Sequence, residues 1–140
     1  MSTAVDEITA LINEYAYRLD AGDLDAVAAL FAHAELRSTR HDRVLRGADE
    51  ARTLYDQVII GDDGTPGTMH QLTNISVRVV GETATGRSYF TVLQITAQGL
   101  HPVLAGQYLD RFVRVDGAWR FAERVFDPKL LGDLRGHMRS

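Results

Sequence analysis

Two ionisable residues of this sequence stand where proton-transfer chemistry would require them. His70 lies in the segment TMHQLTNIS, whose alternation predicts a strand, so that His70, Leu72 and Asn74 share one face. Asp20 ends a helical segment at the edge of its apolar stripe, next to Ile12, where a carboxylate is partly removed from water. Imidazole and carboxylate groups are typical general acids and bases.

Each of the two residues also has a structural explanation. Asp20 could cap or end its helix near Gly22, and a single histidine on a strand is more often a hydrogen-bonded structural residue than a catalyst. Taken alone, neither residue identifies a site. A site is favoured only if other polar side chains share their inward faces.

The elements that would carry these residues begin with helices. Residues 6–19 have apolar residues at helical spacing, and Asp23 is placed to cap a second, shorter helix. Residues 35–46 lose the helical period and predict a short hairpin of two strands. The segment ADEARTLYDQVII then predicts a third helix, with acids in its first turn and apolar residues through Ile59 at helical spacing.

The second half of the chain predicts strands. Residues 69–80, 84–97, 103–115 and 118–126 are rich in β-branched and aromatic residues, and VRVDGAWRF is a tight hairpin signal. The tail KLLGDLRGHMRS predicts a last helical turn, lying at an interface or across a pocket mouth. Helices followed by long antiparallel strands indicate an α+β domain with a curved sheet.

Composition excludes several classes of function. Hydrophobic residues make up 45% and charged residues 24% of 140 residues, which are ordinary globular values. A net charge of -4 without a basic block argues against nucleic acid, and no apolar run suggests a membrane partner. The absence of cysteine excludes thiol chemistry and is consistent with a cytoplasmic protein. We expect one domain over residues 1–140.

Polar residues recur on faces of the predicted strands that should be buried. The inward faces of the two central strands are predicted to carry Ser88, Phe90, Val92 and Gln94, and Gly106, Tyr108, Asp110 and Phe112. Buried polar groups cost free energy unless they are paired, so a cavity with converging polar groups explains them economically. A metal site is not predicted, because the five histidines lack metal-motif spacing.

Several segments together resemble a known superfamily. They are LINEYAYRLDAGDLDAVAALFAHAEL, GADEARTLYDQV, TMHQLTNISV and GQYLDRFVRVDGAWRFAERVF. The chain is identified as a member of the SnoaL-like branch of the nuclear transport factor 2 superfamily, similar to scytalone dehydratase and the bile acid dehydratases. The resemblance implies a cone-shaped α+β fold, in which three N-terminal helices pack on a strongly curved, mainly antiparallel sheet that encloses one pocket. It also implies a homodimer or homotrimer.

The resemblance assigns roles to particular residues. In the dehydratases an aspartate at the end of the first helix pairs with a histidine opening the long sheet, and YRLDAGD and TMHQLTN place Asp20 and His70 in these roles. The second histidine of a scytalone-type site is matched by Gln94, and Tyr108 falls about where those enzymes hold another hydrogen-bonding side chain. Tyr108 could therefore donate instead.

The resulting hypothesis is a dehydratase or isomerase that acts without a cofactor on a small hydrophobic cyclic compound. His70 would be the base or proton shuttle, and Asp20 would fix its tautomer. Asn74 would support the ring, and Tyr108 and Gln94 would hold a carbonyl or hydroxyl group. The predicted substrate-binding and wall residues are Tyr15, Phe31, Leu54, Tyr55, Asn74, Phe90, Gln94, Tyr108 and Phe112.

Two other functions remain open on the sequence. The chain could be a non-catalytic ligand-binding or dimerisation domain, in which Asp20 pairs with an arginine rather than with His70. Epoxide hydrolysis would need an arginine between two aspartates. Asp110 with Arg87 or Arg111 fits that poorly, because both arginines fall on outward positions.

Overall fold

Two of the three helices form a hairpin whose ends follow from the sequence. The computed structural model describes residues 3–139, and its helices are α1 (Ala4–Asp20), α2 (Leu24–Ala29) and α3 (Gly47–Tyr55). Thr3 and Asp6 form a capping box at the start of α1. The side chain of Asp23 accepts from the backbone of Ala26 and caps α2, as predicted.

The third helix is shorter than the sequence predicts. It ends at Tyr55, and the backbone of Ile59 instead donates to the carbonyl oxygen of His137 at 2.9 Å. Val58 forms an isolated antiparallel bridge with Met138. The prediction that α3 continues to Ile59 is wrong, because pairing with the C-terminal tail replaces the next helical turn.

Six strands form one curved, unclosed sheet. They are β1 (Glu35–Ser38), β2 (His41–Arg46), β3 (Thr68–Val80), β4 (Thr83–Thr96), β5 (Gly99–Val115) and β6 (Ala118–Leu131). Their order is β2-β1-β6-β5-β4-β3, and every neighbouring pair is antiparallel except β1 with β6. The predicted α+β architecture and the short hairpin are confirmed.

The last strand extends beyond its predicted end. Asp116 and Gly117 adopt φ of 52° and 81° in the predicted hairpin turn, and β6 then runs on to Leu131. The predicted last helical turn is confined to residues 134–138, where the N–H groups of His137 and Met138 both donate to the carbonyl oxygen of Leu134 at 3.0 Å. The first residues of the tail instead continue β6 and pair with β5.

An extra residue in β3 changes which side chains face the core. Between Thr73 and Ser76, β3 advances three residues while β4 advances two. Asn74 lies in this bulge with φ of 54° and is exposed. The expectation that Asn74 shares the inward face of His70 is therefore wrong. Beyond the bulge the inward positions are odd-numbered, as at half-buried Val77.

The helices cover the concave side of the sheet. The buried stripe of α1, which includes Ile8, Ile12, Tyr15 and Leu19, belongs to the same apolar cluster as the inward residues of β4, β5 and β6. Because α1 also packs against β3, its last residue is brought to the start of that strand. Within residues 3–139, no helix has the length and apolar character needed to cross a membrane.

Candidate active site

Asp20 and His70 meet at the wall of the interior. His70 Nδ1 lies 2.6 Å from Asp20 Oδ1, and the backbone N–H of His70 donates to Asp20 Oδ2 at 2.8 Å. The hydroxyl of Thr68 donates to Asp20 Oδ1, also at 2.8 Å. One carboxylate thus joins the end of α1 to the first residues of β3 and holds the imidazole in a single orientation.

This contact fixes which ring nitrogen of His70 is available. A carboxylate can only accept, so the atom facing it, Nδ1, carries the proton in the neutral ring. Nε2 then carries the lone pair, and His70 lines the interior cavity. The His70 side chain is only 4% exposed, against 21% for Asp20. The arrangement can therefore accept a proton from a molecule in the cavity.

The carboxyl group of Asp20 is held in its charged form. Burial by itself would raise the pKa of Asp20, but the hydrogen bonds and charge of His70, together with the hydroxyl of Thr68, lower that pKa below its ordinary value. Asp20 is consequently an anion at neutral pH. It stabilises a positive charge on the His70 ring when that ring takes up a proton.

The cavity next to His70 has a volume of about 520 Å³ and a mostly apolar lining. Its apolar and aromatic residues are Tyr15, Leu19, Leu36, Leu45, Leu54, Tyr55, Val58, Phe90, Val92, Leu104, Tyr108, Phe126, Pro128 and Met138. Its polar residues are Arg37, Ser38, His41, Arg43, Thr53, Gln57, His70 and His137. A space of this size and character suits a small, largely apolar molecule with a few polar groups.

Aromatic side chains form one wall of this cavity. Phe90 and Tyr108 stack with ring centroids 4.5 Å apart, and Tyr55 donates to the hydroxyl of Tyr15 at 3.0 Å. Burial raises the pKa of all three tyrosines, so their hydroxyl groups stay protonated at neutral pH. The wall can therefore donate hydrogen bonds as well as contact a flat ring.

A buried ion pair packs against Tyr15 and Tyr108, which with Tyr55 form the tyrosine wall of the cavity. Arg124 donates to both oxygens of Asp110, at 2.8 and 2.9 Å, and both side chains are fully buried. The guanidinium carbon lies 3.8 Å from the ring centroid of Tyr108 and 4.5 Å from that of Tyr15. Within residues 3–139, no second carboxylate bonds to Arg124, so the aspartate–arginine–aspartate arrangement of epoxide hydrolysis is not formed.

Four of the predicted wall and binding residues do not line the cavity. Gln94 is buried, but its amide nitrogen donates to the carbonyl oxygens of Pro66 and Gly136. Phe112 and Phe31 pack against Phe121 in the apolar core. Asn74 is exposed at the β3 bulge. Of the others, the structure brings Tyr15, Leu54, Tyr55, Phe90 and Tyr108 to the cavity.

Three residues of the site were not predicted. Thr68 lies two residues before His70 on the same strand face, so parity could have identified it. Arg124 faces inward only because β6 bulges between Phe121 and Glu123, where it advances two residues while β5 advances one. His137 reaches the cavity from the tail, and no spacing in the sequence connects it with His70.

Comparison with known families gives a match along most of the chain. The family described as the SnoaL-like domain matches residues 1–125. No curated protein matches the sequence. The matched segment includes Asp20, His70 and the tyrosine wall, whereas the end of β6 and the tail with His137 lie outside it.

Solved structures share the same fold. A variant of a protein of unknown function from Mycobacterium tuberculosis is 28% identical, with a TM-score of 0.74 over 89% of this chain and 71% of that one. A proposed scytalone dehydratase from Novosphingobium aromaticivorans is 25% identical, with a TM-score of 0.72 over 91% and 85%. An NTF2-like protein with a cystatin-like fold from the same organism is 24% identical, with a TM-score of 0.74 over 87% and 79%.

Proposed function

The chain belongs to the SnoaL-like domain family, and from this premise we propose that it catalyses dehydration or proton-transfer isomerisation of a small hydrophobic cyclic compound. The observation that supports this most directly is the 2.6 Å contact between Asp20 and His70 Nδ1 at the wall of an apolar cavity. The likeness to a proposed scytalone dehydratase is consistent with the same class of reaction.

In the proposed reaction His70 acts as the base. Its Nε2 removes a proton from a carbon next to a carbonyl group of the substrate, and Asp20 stabilises the imidazolium that forms. The hydroxyl groups of Tyr108 and Tyr15, which line the cavity, would donate to the carbonyl oxygen as it gains negative charge, and Tyr55 would support Tyr15 through its own hydrogen bond.

The two reaction types differ only in the second step. In a dehydration the C–O bond of a hydroxyl on the next carbon breaks, and the leaving hydroxide takes the proton from His70 to form water. In an isomerisation His70 returns the proton to a different carbon. Both sequences balance without an oxidant, a reductant or a cofactor, and Asp20 remains ionised throughout.

The proposal can be tested with a synthetic bicyclic ketone. A β-hydroxy ketone such as 3-hydroxy-1-tetralone gives 1-naphthol on losing water, and naphthol formation can be followed by fluorescence. We expect the wild-type protein to accelerate this reaction. Asp20→Asn and His70→Gln should each lower the acceleration by about 100-fold or more, because His70→Gln removes the base and Asp20→Asn removes the anion that stabilises its protonated form. The double variant should be little slower than either single one, because residues that act as a unit are not additive.

The control variant is His101→Gln, which changes an exposed histidine at the start of β5. It should react at the wild-type rate, and circular dichroism should show that all variants are folded. If the wild-type protein binds the ketone but forms naphthol no faster than His70→Gln does, the chain is instead a ligand-binding domain. Fully additive effects of the two substitutions would argue against a paired base.

A further inference from the structure

His137 is a buried ionisable residue that the proposed reaction does not use. Its side chain belongs to a residue only 3% exposed, and it lines the same cavity as His70. The centroids of the two imidazole rings are 6.0 Å apart and the rings are inclined at 67°. A molecule in the cavity can therefore contact both rings at once.

The backbone around His137 is firmly held. The carbonyl oxygen of His137 accepts from Ile59 at 2.9 Å, and the N–H of Arg139 donates to the carbonyl oxygen of Gln57 at 2.8 Å. On the other side of the ring, Gln94 Nε2 donates to the carbonyl oxygen of Gly136 at 2.9 Å. The tail thus places this imidazole at the cavity by contacts on both flanks.

One nitrogen of the His137 ring has no hydrogen-bond partner among the described residues. Nδ1 is completely buried and unsatisfied, so it is closed to a molecule in the cavity as well, and the ring borders the cavity through its remaining edge. Burial, reinforced by the charge of His70 and opposed by that of Asp20, lowers the pKa of His137 to about 4. The ring is neutral at pH 7, so it offers one N–H donor and one lone pair rather than a positive charge.

These properties select the chemistry of a partner. A carboxylate or phosphate would favour a protonated ring, whereas a hydroxyl group both donates and accepts and so suits a neutral imidazole. We propose that the imidazole of His137 binds a hydroxyl group of the cyclic ligand, next to His70. This inference rests on the proposed function for the kind of ligand. In a dehydration the bound oxygen would be the one that leaves.

Two probes that differ only in a hydroxyl group test the inference without any turnover. They are 2-tetralol and tetralin, whose dissociation constants can be measured by NMR titration. We expect the preference of the wild-type protein for the alcohol, given by the ratio of the two constants, to fall about tenfold in His137→Phe, as for the loss of one hydrogen bond. His137→Gln keeps a hydrogen-bonding amide close to the outer edge of the ring and should retain most of the preference.

The wild-type protein provides a second readout that needs no variant. In protein labelled with ¹⁵N-histidine, the ring-nitrogen resonances of His137 should move when 2-tetralol is added and stay in place with tetralin. His33→Phe, at an exposed histidine, is the matched control and should leave the preference unchanged. An equal preference in wild type and His137→Phe, or unmoved ring-nitrogen resonances of His137, would overturn the inference. Because only binding is measured, failure of the naphthol assay would leave this result intact.

Discussion

At the scale of single residues, two histidines in one cavity differ in what surrounds Nδ1. The Nδ1 of His70 faces a carboxylate at 2.6 Å, whereas the Nδ1 of His137 has no partner among residues 3–139. A carboxylate stabilises the protonated form of a ring, and burial without a partner disfavours it. The two imidazoles are therefore suited to different tasks, proton transfer for His70 and neutral hydrogen bonding for His137.

Because the ring of His137 is buried in its neutral form, we expect the free energy of unfolding to depend on pH. Its pKa is about 4 in the folded chain and 6.5 ordinarily, so between these values the unfolded chain binds a proton that the folded chain does not. The free energy of unfolding should therefore fall as the pH drops from 6.5 to 4. We expect this loss to be smaller in His137→Gln, by up to about 3 kcal/mol.

Urea unfolding at pH 7 and at pH 4 measures this difference. The comparison between wild type and His137→Gln separates the effect of this ring from the pH dependence of the rest of the chain. His33→Gln, at an exposed position, should keep the wild-type dependence. Parallel stability profiles for wild type and His137→Gln would contradict the burial of a neutral ring.

At the scale of elements, the regular spacing of apolar residues predicted the helices and strands. The prediction of inward-facing residues failed where a strand contains a β-bulge. The residues at which α1 and α2 begin follow from Thr3 and Asp23, whose side chains accept hydrogen bonds from the first turn of each helix. Strand parity correctly placed Tyr108 inward. It failed at Asn74, which lies within a bulge, and it could not identify Arg124, which follows one, because an added residue in a strand leaves no mark in composition.

The turn between α1 and α2 is an element whose geometry demands glycine. Gly22 has φ of 78°, and a Cβ built there would clash with the carbonyl oxygen of Gly64. Gly22→Ala should therefore destabilise the chain through both backbone strain and displacement of the loop, by about 2 kcal/mol or more. Thermal unfolding by circular dichroism measures the effect.

Gly64→Ala separates these two causes. Gly64 also has a positive φ, of 83°, but a Cβ there would have no atom within 4 Å. It should cost about 1–2 kcal/mol from backbone conformation alone. Equal losses in the two variants would mean that the contact between the helical turn and the loop does not contribute. Since Asp20 is two residues before Gly22, only Gly22→Ala should also slow the naphthol assay.

At the scale of the whole molecule, the site depends on three distant parts of the chain. The end of α1 supplies Asp20, the start of β3 supplies His70, and the tail supplies His137. The first two lie within the segment that matches the SnoaL-like domain, residues 1–125, and the tail lies beyond it. We therefore expect base chemistry to depend on the matched segment and ligand preference to depend on the tail.

The outer face of the sheet leads to a proposal about assembly. Tyr89 and Leu109 are 45% and 39% exposed near the middle of β4 and β5, where large apolar residues would be covered in an oligomer. We propose that the chain forms a homodimer or homotrimer through this face.

The substitution Leu109→Lys tests this proposal. It should shift the sedimentation mass toward that of one 15.5 kDa chain, because it places a second positive charge beside Arg87 on the surface that the oligomer would cover. Val80→Lys changes an equally apolar residue at the end of β3, 66% exposed, and should leave the mass unchanged. A wild-type protein that sediments as a single chain, or equal effects of the two lysines, would exclude this face as the interface.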